Sequence, residues 1–516
     1  MLSIPLTGRR KIFSQEEVIT AENVMRVLND ALAEHLQNMQ EEDYLYWYRR
    51  GVQPILSRTK EVRPEICNKC VVNNANQVVT FKNGYFLTKP AVYISRREDE
   101  NTTDKVRQLN EYLYTSGKHQ ADNAVVNWFH TVGMGVILVE PNRKNDKRKP
   151  VNVYAMDPRG AFVVYSLTPG NRPLFGVNMV VSGERVMFDV FTEDSVYKLH
   201  GGYVGKLYHP YTVGQPTMTA TAVALDSVEP NVIGAVPIIE YAYNENRMGS
   251  FEAAVPIMDA INNVESNRMD GIEQFIQSLV VTTNVQFEEG VTANTIRQAG
   301  MICLRSSGDQ KADFQILSEQ LDQTQTQVTL DNLYSQLFDK CGVPATIREG
   351  GSTSDNVGAV YLRNGWALAD TDARNTEDLF KESNRLFDEV FLRILAKKSN
   401  FAINIDDFDL QFTRNDMSNL LVKTQAALNM KELGLAPEIC LERSGLSNDP
   451  LSDIEISSKY MEAIWNPQST IVANGQPYTA GEQESTTGEQ AQKELDEDRK
   501  EASNKVGQHW ISGYWR

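Results

Sequence analysis

Val343-Pro-Ala-Thr-Ile-Arg-Glu-Gly-Gly-Ser-Thr-Ser-Asp-Asn-Val-Gly358 is a polar, glycine-bearing hinge between two runs that read as long helices. After it, Val360, Leu368, Leu379, Leu386, Val390, Phe391 and Ile394 are apolar positions in a helix predicted from about 356 to 398. Before it, Leu321, Val328, Leu333, Leu337 and Cys341 predict a helix over 318–341. A compact insert at 283–317 precedes that helix, with strand-like runs at 285–287, 301–304 and 314–317 and a helical turn near 293–298. Further back, Phe251, Val255, Met258, Ile261, Met269, Ile272, Ile276 and Leu279 form one apolar stripe of a helix over 250–282, about 45–50 Å long at about 1.5 Å per residue. A rigid helical frame carrying one bendable polar loop describes a machine part better than a catalytic pocket.

The other side of that first helix carries Asp259, Glu265, Asp270 and Glu273 against a single Arg268. Two readings stay open for it: an ordinary solvated face, or a wall turned toward something negative that must not stick.

The chain has 516 residues, enough for two to four domains, and its 41% hydrophobic and 23% charged residues are those of an ordinary folded chain. A net charge of −17 repels nucleic acid and anionic membrane over most of the surface. The clearest basic run, Arg143 to Lys149, lies between two strand-like stretches and reads as a solvated hairpin loop. No run of 18 apolar residues and no signal-peptide pattern is found, so neither a membrane span nor secretion is predicted. Five cysteines, an odd number, fit reduced thiols rather than a disulfide framework.

At the N-terminal end, Val18, Ala21, Met25, Leu28, Leu32 and Leu36 predict an amphipathic helix over 15–40, followed by the aromatic run Tyr44 to Tyr48. From 78 to 241 short β-type runs dominate, at 86–88, 91–94, 135–139, 151–154, 161–165, 176–181, 185–191 and 195–199, with helices near 104–115 and 120–131. Turn residues at short spacing predict an antiparallel sheet in an α+β domain. A strand at 408–412 and helices near 419–433, 437–444 and 453–465 follow, making a small helical cap; 466–509 is polar and expected to be loosely attached.

Motifs for chemistry are missing. Cys67-Asn-Lys-Cys70 has the spacing of half a zinc site without its second half, and Gly133-Met-Gly135 precedes a strand instead of following one. The acidic cluster from Asn404 to Asp409 lacks the glycine and distal glutamate of a calcium loop. No phosphate loop, HExxH or GxSxG occurs, and no two histidines are spaced i, i+4. No catalytic residue, metal or cofactor is predicted.

Several local words, taken together, resemble the portal proteins of tailed bacteriophages, of the siphovirus type. They are Lys82-Asn-Gly-Tyr-Phe-Leu-Thr-Lys-Pro90, similar to a strand of that family; Val236-Pro-Ile-Ile-Glu-Tyr241 with Asn244 and Gly249-Ser-Phe-Glu252; Ile257-Met-Asp-Ala-Ile-Asn262; and Ser352-Thr-Ser-Asp-Asn-Val-Gly-Ala359. Thr88 stands where many relatives have glycine. The similarity spans about 15–465 and implies a helix-rich α+β portal fold, a non-enzymatic subunit of a ring of typically twelve copies at one capsid vertex, assembled in the host cytoplasm. Double-stranded DNA would be packaged and ejected through it; its implied partners are the terminase large subunit, major capsid and scaffolding proteins and then head-completion adaptors, with a part in nucleating the procapsid.

By position, the resemblance implies an N-terminal arm at 1–42, a wing at 43–249, stem helices at 250–282 and 318–342 and a clip at 283–317. A tunnel loop at 343–358, a long helix and strand at 359–412, a crown at 413–465 and a tail at 466–516 complete it. The loop would present Arg348, Glu349, Gly350, Gly351, Ser352, Thr353, Ser354, Asp355 and Asn356 to DNA, with Asp259, Glu265, Asp270 and Glu273 as the stem's channel face. The rival reading is an intracellular enzyme or metal-binding scaffold that dimerises through its long helices.

Overall fold

The computed structural model describes residues 6–61, 63–97, 99–144, 146–182, 185–202, 221–276, 279–283, 313–317, 323–344, 365–412 and 420–447, with 450, 453, 454 and 457. They fall into two units, Met1–Asn419 and Leu420–Arg516. Among the described helices none is long and apolar enough to cross a membrane.

The larger unit is organised on two sheets. Strands β5 (Ala161–Ser166), β6 (Pro173–Ser182), β7 (Arg185–Thr192), β8 (Ser195–Gly202) and β9 (Thr221–Pro230) form an antiparallel meander, with β1 (Ile12–Ser14) parallel to β5 at its edge. A second sheet has β3 (Met134–Pro141) between β4 (Val151–Met156) and β10 (Ile238–Ala242), again antiparallel. Val136 and Leu138 of β3 pack with Val163, Tyr165 and Ile238 between the sheets, while Ile137 and Val139 enter the helical core. Because β3 is covered on both faces, it reads as a continuous apolar run instead of an alternating one. The sheets approach closely at Gly176, where an added Cβ would lie 2.6 Å from Ile238 Cβ.

Helices α3 (Glu100–Ser116) and α4 (Lys118–Val132) pack under the smaller sheet, α3 being capped by the Asp99 carboxylate, which accepts from the Thr102 amide at 2.8 Å. The longest helix, α7 (Trp366–Ser399), lays Phe380, Phe387, Phe391 and Leu395 into the same core. Each such fully buried side chain contributes about 1.5–3 kcal/mol over its exposed state. Strand β13 (Phe408–Gln411) then pairs antiparallel with β2 (Val92–Ser95), closing the core with chain that is remote in sequence.

Helix α1 (Val24–Arg49) begins later than the predicted 15–40 and absorbs the aromatic run through Tyr48; Val18, expected on its apolar stripe, is exposed. Helix α2 (Asn74–Phe86) corrects a second expectation. The run at 86–88 and the word Lys82–Pro90 are not a strand: Phe86 ends a helix and packs on Phe129 and Phe380. Local β preference of Tyr85 and Phe86 loses there to tertiary packing. The basic run after Asn142 does sit in the β3–β4 turn, where Asn142 Nδ2 donates to Lys149 O at 2.8 Å.

The smaller unit contains α8 (Leu420–Glu432) and α9 (Pro437–Ser444). Pro437 occupies the first turn of α9, as expected from its fixed φ, and Lys423 Nζ donates to Gly445 O at 2.9 Å across the pair.

Candidate functional site

Helix α5 (Val255–Ile276) and helix α6 (Gln323–Cys341) run side by side in opposite directions. Phe251, Val255 and Met258 at one end share a core with Leu337, Phe338 and Cys341, and further along Arg268 Nη1 donates to Gln327 Oε1 at 3.1 Å. Beyond the helices, β11 (Leu279–Thr283) pairs antiparallel with β12 (Asp313–Leu317), Leu279 opposite Leu317. The expected single helix to residue 282 is therefore shorter, about 33 Å, because the β-branched run Val280 to Thr283 joins a ribbon. The strand expected at 314–317 is β12; the rest of the insert lies outside the described residues.

The side of α5 read from sequence as acidic is largely covered by the chain itself. The segment from Asn68 to Val72 lies along it as a strap: the backbone N–H groups of Asn68, Cys70 and Val72 donate to Asp270 Oδ1, Ser266 Oγ and Asn262 Oδ1 at 2.7, 2.9 and 3.0 Å. Two residues of extended chain advance about 6.6 Å and four residues of helix about 6 Å, so alternate strap amides meet every fourth helix side chain. Asn262 Nδ2 reaches on to Gln53 Oε1.

Asp270 is only 3% exposed and also takes Arg58 at 3.0 Å and Lys60 on its Oδ2. Burial pushes its carboxyl up, but Lys60, the Asn68 hydrogen bonds and Arg58 outweigh that and hold it below the usual range. Asp259 accepts from Tyr48 Oη at 2.9 Å, and Glu273 accepts from Asn68 Nδ2 at 3.0 Å. Among the described residues Glu265 makes no hydrogen bond or ion pair, and it is half-buried. The faces are the reverse of the expectation for two apolar residues: Met269 and Ile272 are exposed, 44% and 38%. Cys70 belongs to the strap and Cys67 immediately precedes it, its Sγ donating to Arg58 O.

The chain leaves α6 through Gly342, Val343 and Pro344 and returns at Gly365, where an added Cβ would sit 3.9 Å from Pro344 Cα. Both ends of the intervening 345–364 segment are thus fixed to one base. Val343 is buried in the α5–α6 core, Trp366 packs on Phe81 and Tyr85, and Lys82 Nζ donates to Asp372 Oδ2 at 2.6 Å, which also accepts from Tyr243 Oη at 2.7 Å. Gly342 has φ +60°, and a Cβ there would lie 3.2 Å from Lys82 Nζ. Arg348, Glu349, Gly350, Gly351, Ser352, Thr353, Ser354, Asp355 and Asn356 all lie outside the described residues. The helix expected from 356 is described from Trp366.

The acidic cluster after Asn404 is engaged with cations: Asp406 faces Arg385 at 3.3 Å, Asp407 faces Arg97 at 2.7 Å, and Asp409 faces Arg96 and Lys381, each at 3.4 Å.

Compared with known families, residues 26–455 match the model described as phage portal protein, SPP1 Gp6-like. The chain belongs to this portal family. No curated protein matches it. Among solved structures, a chain from the "Neck of empty GTA particle computed with C6 symmetry" is similar at 11% identity, with a TM-score of 0.41 over 72% of this chain and 90% of that one, too loose a likeness to weigh on the fold. The portal assignment agrees with the helix-rich α+β architecture, and nearly all of the elements described here fall inside the matched span.

The strap is a structural element that the sequence reading missed. Its signal was present as Asn262, Ser266 and Asp270, three hydrogen-bonding side chains at i, i+4 and i+8 on one helix face.

Proposed function

We propose that this portal-family chain is one subunit of a closed ring, typically of twelve copies, at a capsid vertex, through which double-stranded DNA is packaged and later ejected. In this reading 43–249 is the wing, 250–282 and 318–342 the stem, 283–317 the clip, 343–358 the tunnel loop, 359–412 the supporting helix and strand, and 413–465 the crown. The arm at 1–42 and the tail at 466–516 flank them. The clip would meet the terminase and then the head-completion proteins, with capsid and scaffolding proteins around the ring as it nucleates the procapsid. The subunit acts as a conduit; a separate ATPase supplies the work.

The observation that carries the reading is the close approach of Pro344 and Gly365, the two described residues that flank the 345–364 segment. It supports a loop that can move on a base that does not. DNA presents one negative charge per about 1.7 Å of axis, so a basic collar would hold it and stall it. A loop with Gly350, Gly351, Ser352, Thr353 and Ser354 and only Arg348, Glu349 and Asp355 as charges offers weak, quickly exchanged contacts. Glu265, without a partner among the described residues, is the stem carboxylate best placed to add repulsion; Asp259, Asp270 and Glu273 are engaged within the subunit. Exposed Met269, Ile272 and, on α6, Val328 are apolar surface that a neighbouring copy would cover. Native mass measurement of the purified protein tests the reading against the dimerising scaffold: one closed oligomer of about twelve chains is expected, and a monomer–dimer equilibrium would refute it.

A further inference from the structure

Arg49 and Arg50 end helix α1 over a cleft of about 510 Å³ beside Tyr46 and Trp128. Among the described residues the deeply buried arginines each meet a carboxylate: Arg9 meets Glu41 and Glu252, Arg159 meets Asp43 and Asp157, and Arg247 meets Glu240, whereas Arg49 is half-buried and Arg50 exposed at the cleft mouth. Arg49 and Arg50 meet none among the described residues. Arg49 is instead held by neutral oxygens, donating from Nη1 to Asn127 Oδ1 and Thr131 Oγ1, both at 2.7 Å, and from Nε to Asn76 Oδ1 at 3.4 Å. Burial and then the charge of Arg50 push its guanidinium down from its usual range.

The amide oxygens of Asn76 and Asn127 are turned to Arg49, and that of Asn127 also accepts from Asn83 Nδ2. Their NH2 groups remain, so the cleft is rich in donors and poor in acceptors. The negative end of α1 compensates roughly half a charge, against two guanidinium groups. A net positive site is left on a chain whose net charge is −17.

A ligand must therefore be an anion, and two sources offer one: a nucleic-acid phosphate or a protein carboxylate. Tyr46 is already covered by Trp128, stacked at 5.5 Å, and by Arg50 and Arg159 at 4.6 and 4.1 Å from its ring centre, so it offers no open platform for a base. A chain with 68 acidic against 51 basic residues repels DNA overall but carries many carboxylates. We propose that the Arg49–Arg50 cleft binds an aspartate or glutamate side chain of a neighbouring copy of this chain. This rests on the ring reading above and places a charge-assisted, fork-shaped contact between subunits.

The test uses Arg50→Lys, which keeps the charge and supplies an amine that a carbodiimide joins to a carboxylate in contact with it. Rings are assembled from equal amounts of unlabelled and nitrogen-15-labelled variant. The expected result is a mixed-isotope peptide linking position 50 to an aspartate or glutamate. In parallel, the double variant Arg49→Ala with Arg50→Ala should raise the concentration at which rings dissociate roughly thirtyfold. Rings that form but give no mixed-isotope link at position 50 overturn the proposal. So does a double variant whose rings are as stable as wild type while it loses affinity for a short DNA duplex, which would assign the cleft to phosphate. Wild-type protein that never closes into rings removes the ring reading itself, and this contact with it.

Discussion

Pro344 and Gly365 bring the two ends of the 345–364 segment to one point: a Cβ on Gly365 would lie 3.9 Å from Pro344 Cα. Since the chain at Pro344 and at Gly365 is held by packing of the adjacent Val343 and Trp366 on the described helices, shortening the segment between them changes closure entropy little, about 0.6 kcal/mol per halving of length. Deleting residues 350–355 is expected to leave thermal stability and oligomer mass unchanged while DNA packaging falls. Normal packaging by the deletion variant would deny the loop a necessary role in transport.

Asp270 fastens the strap to α5, and its removal leaves Arg58 and Lys60 without their shared carboxylate. Both cations are partly exposed and can rehydrate, so Asp270→Ala is expected to cost about 2 kcal/mol, below the range for fully buried pairs. Asp270→Asn keeps an acceptor for the Asn68 amide and should cost less. Because its carboxyl is held low in the folded state, the stabilisation is present above the unfolded carboxylate range and lost as pH falls through the folded value. Urea unfolding should show the wild-type advantage over Asp270→Asn shrinking in acid, while the gap between the two variants stays constant; a wild-type advantage that does not change with pH would contradict the assignment.

Glu42 and His35 are buried in the same helix and carry opposite pH signatures. Burial pushes Glu42 up to about 8 and His35 down to about 4. For Glu42 the folded state keeps a proton that the unfolded state releases, so stability falls as pH rises from about 4.5 to about 8. For His35 the unfolded state takes a proton that the folded state refuses, so stability falls as pH drops from 6.5 to about 4. Glu42→Gln should remove the alkaline loss and keep the acid one in denaturation midpoints measured across this range. An unchanged alkaline slope would place that titration elsewhere.

Two glycines should respond oppositely to alanine. Gly84 lies exposed within α2, where an added Cβ meets nothing within 4 Å, so Gly84→Ala is expected to gain up to about 1 kcal/mol. Gly176→Ala forces a Cβ against Ile238 between the two sheets and should cost about 1–3 kcal/mol. Calorimetric midpoints moving in the same direction would contradict this packing.

Much of the two-sheet region was legible in sequence because its strands β4 to β8 are rich in apolar residues and separated by turn residues such as Gly170 and Asn171, both at positive φ. Pro437 announced α9 for the same local reason. What local pattern could not supply was partnership at a distance. Phe86 looked like strand and is helix because Phe129 and Phe380 receive it. Asp270 read as part of an open acidic face, either solvated or turned to a channel, yet it is buried beneath Asn68, whose segment carries no periodicity of its own. Met269 and Ile272 looked like core and face outward, as positions reserved for another chain would in a subunit taken alone. The portal family was legible through short words, one of them, Lys82–Pro90, in a different secondary structure from the one expected.

The ring is the claim on which the rest depends, and end-on averaged electron micrographs of the purified protein test it most directly. The account predicts closed rings with an open centre, into which a gold label on a cysteine placed at Ser352 projects. A solid centre, compact dimers, or a label confined to the outer rim would contradict it.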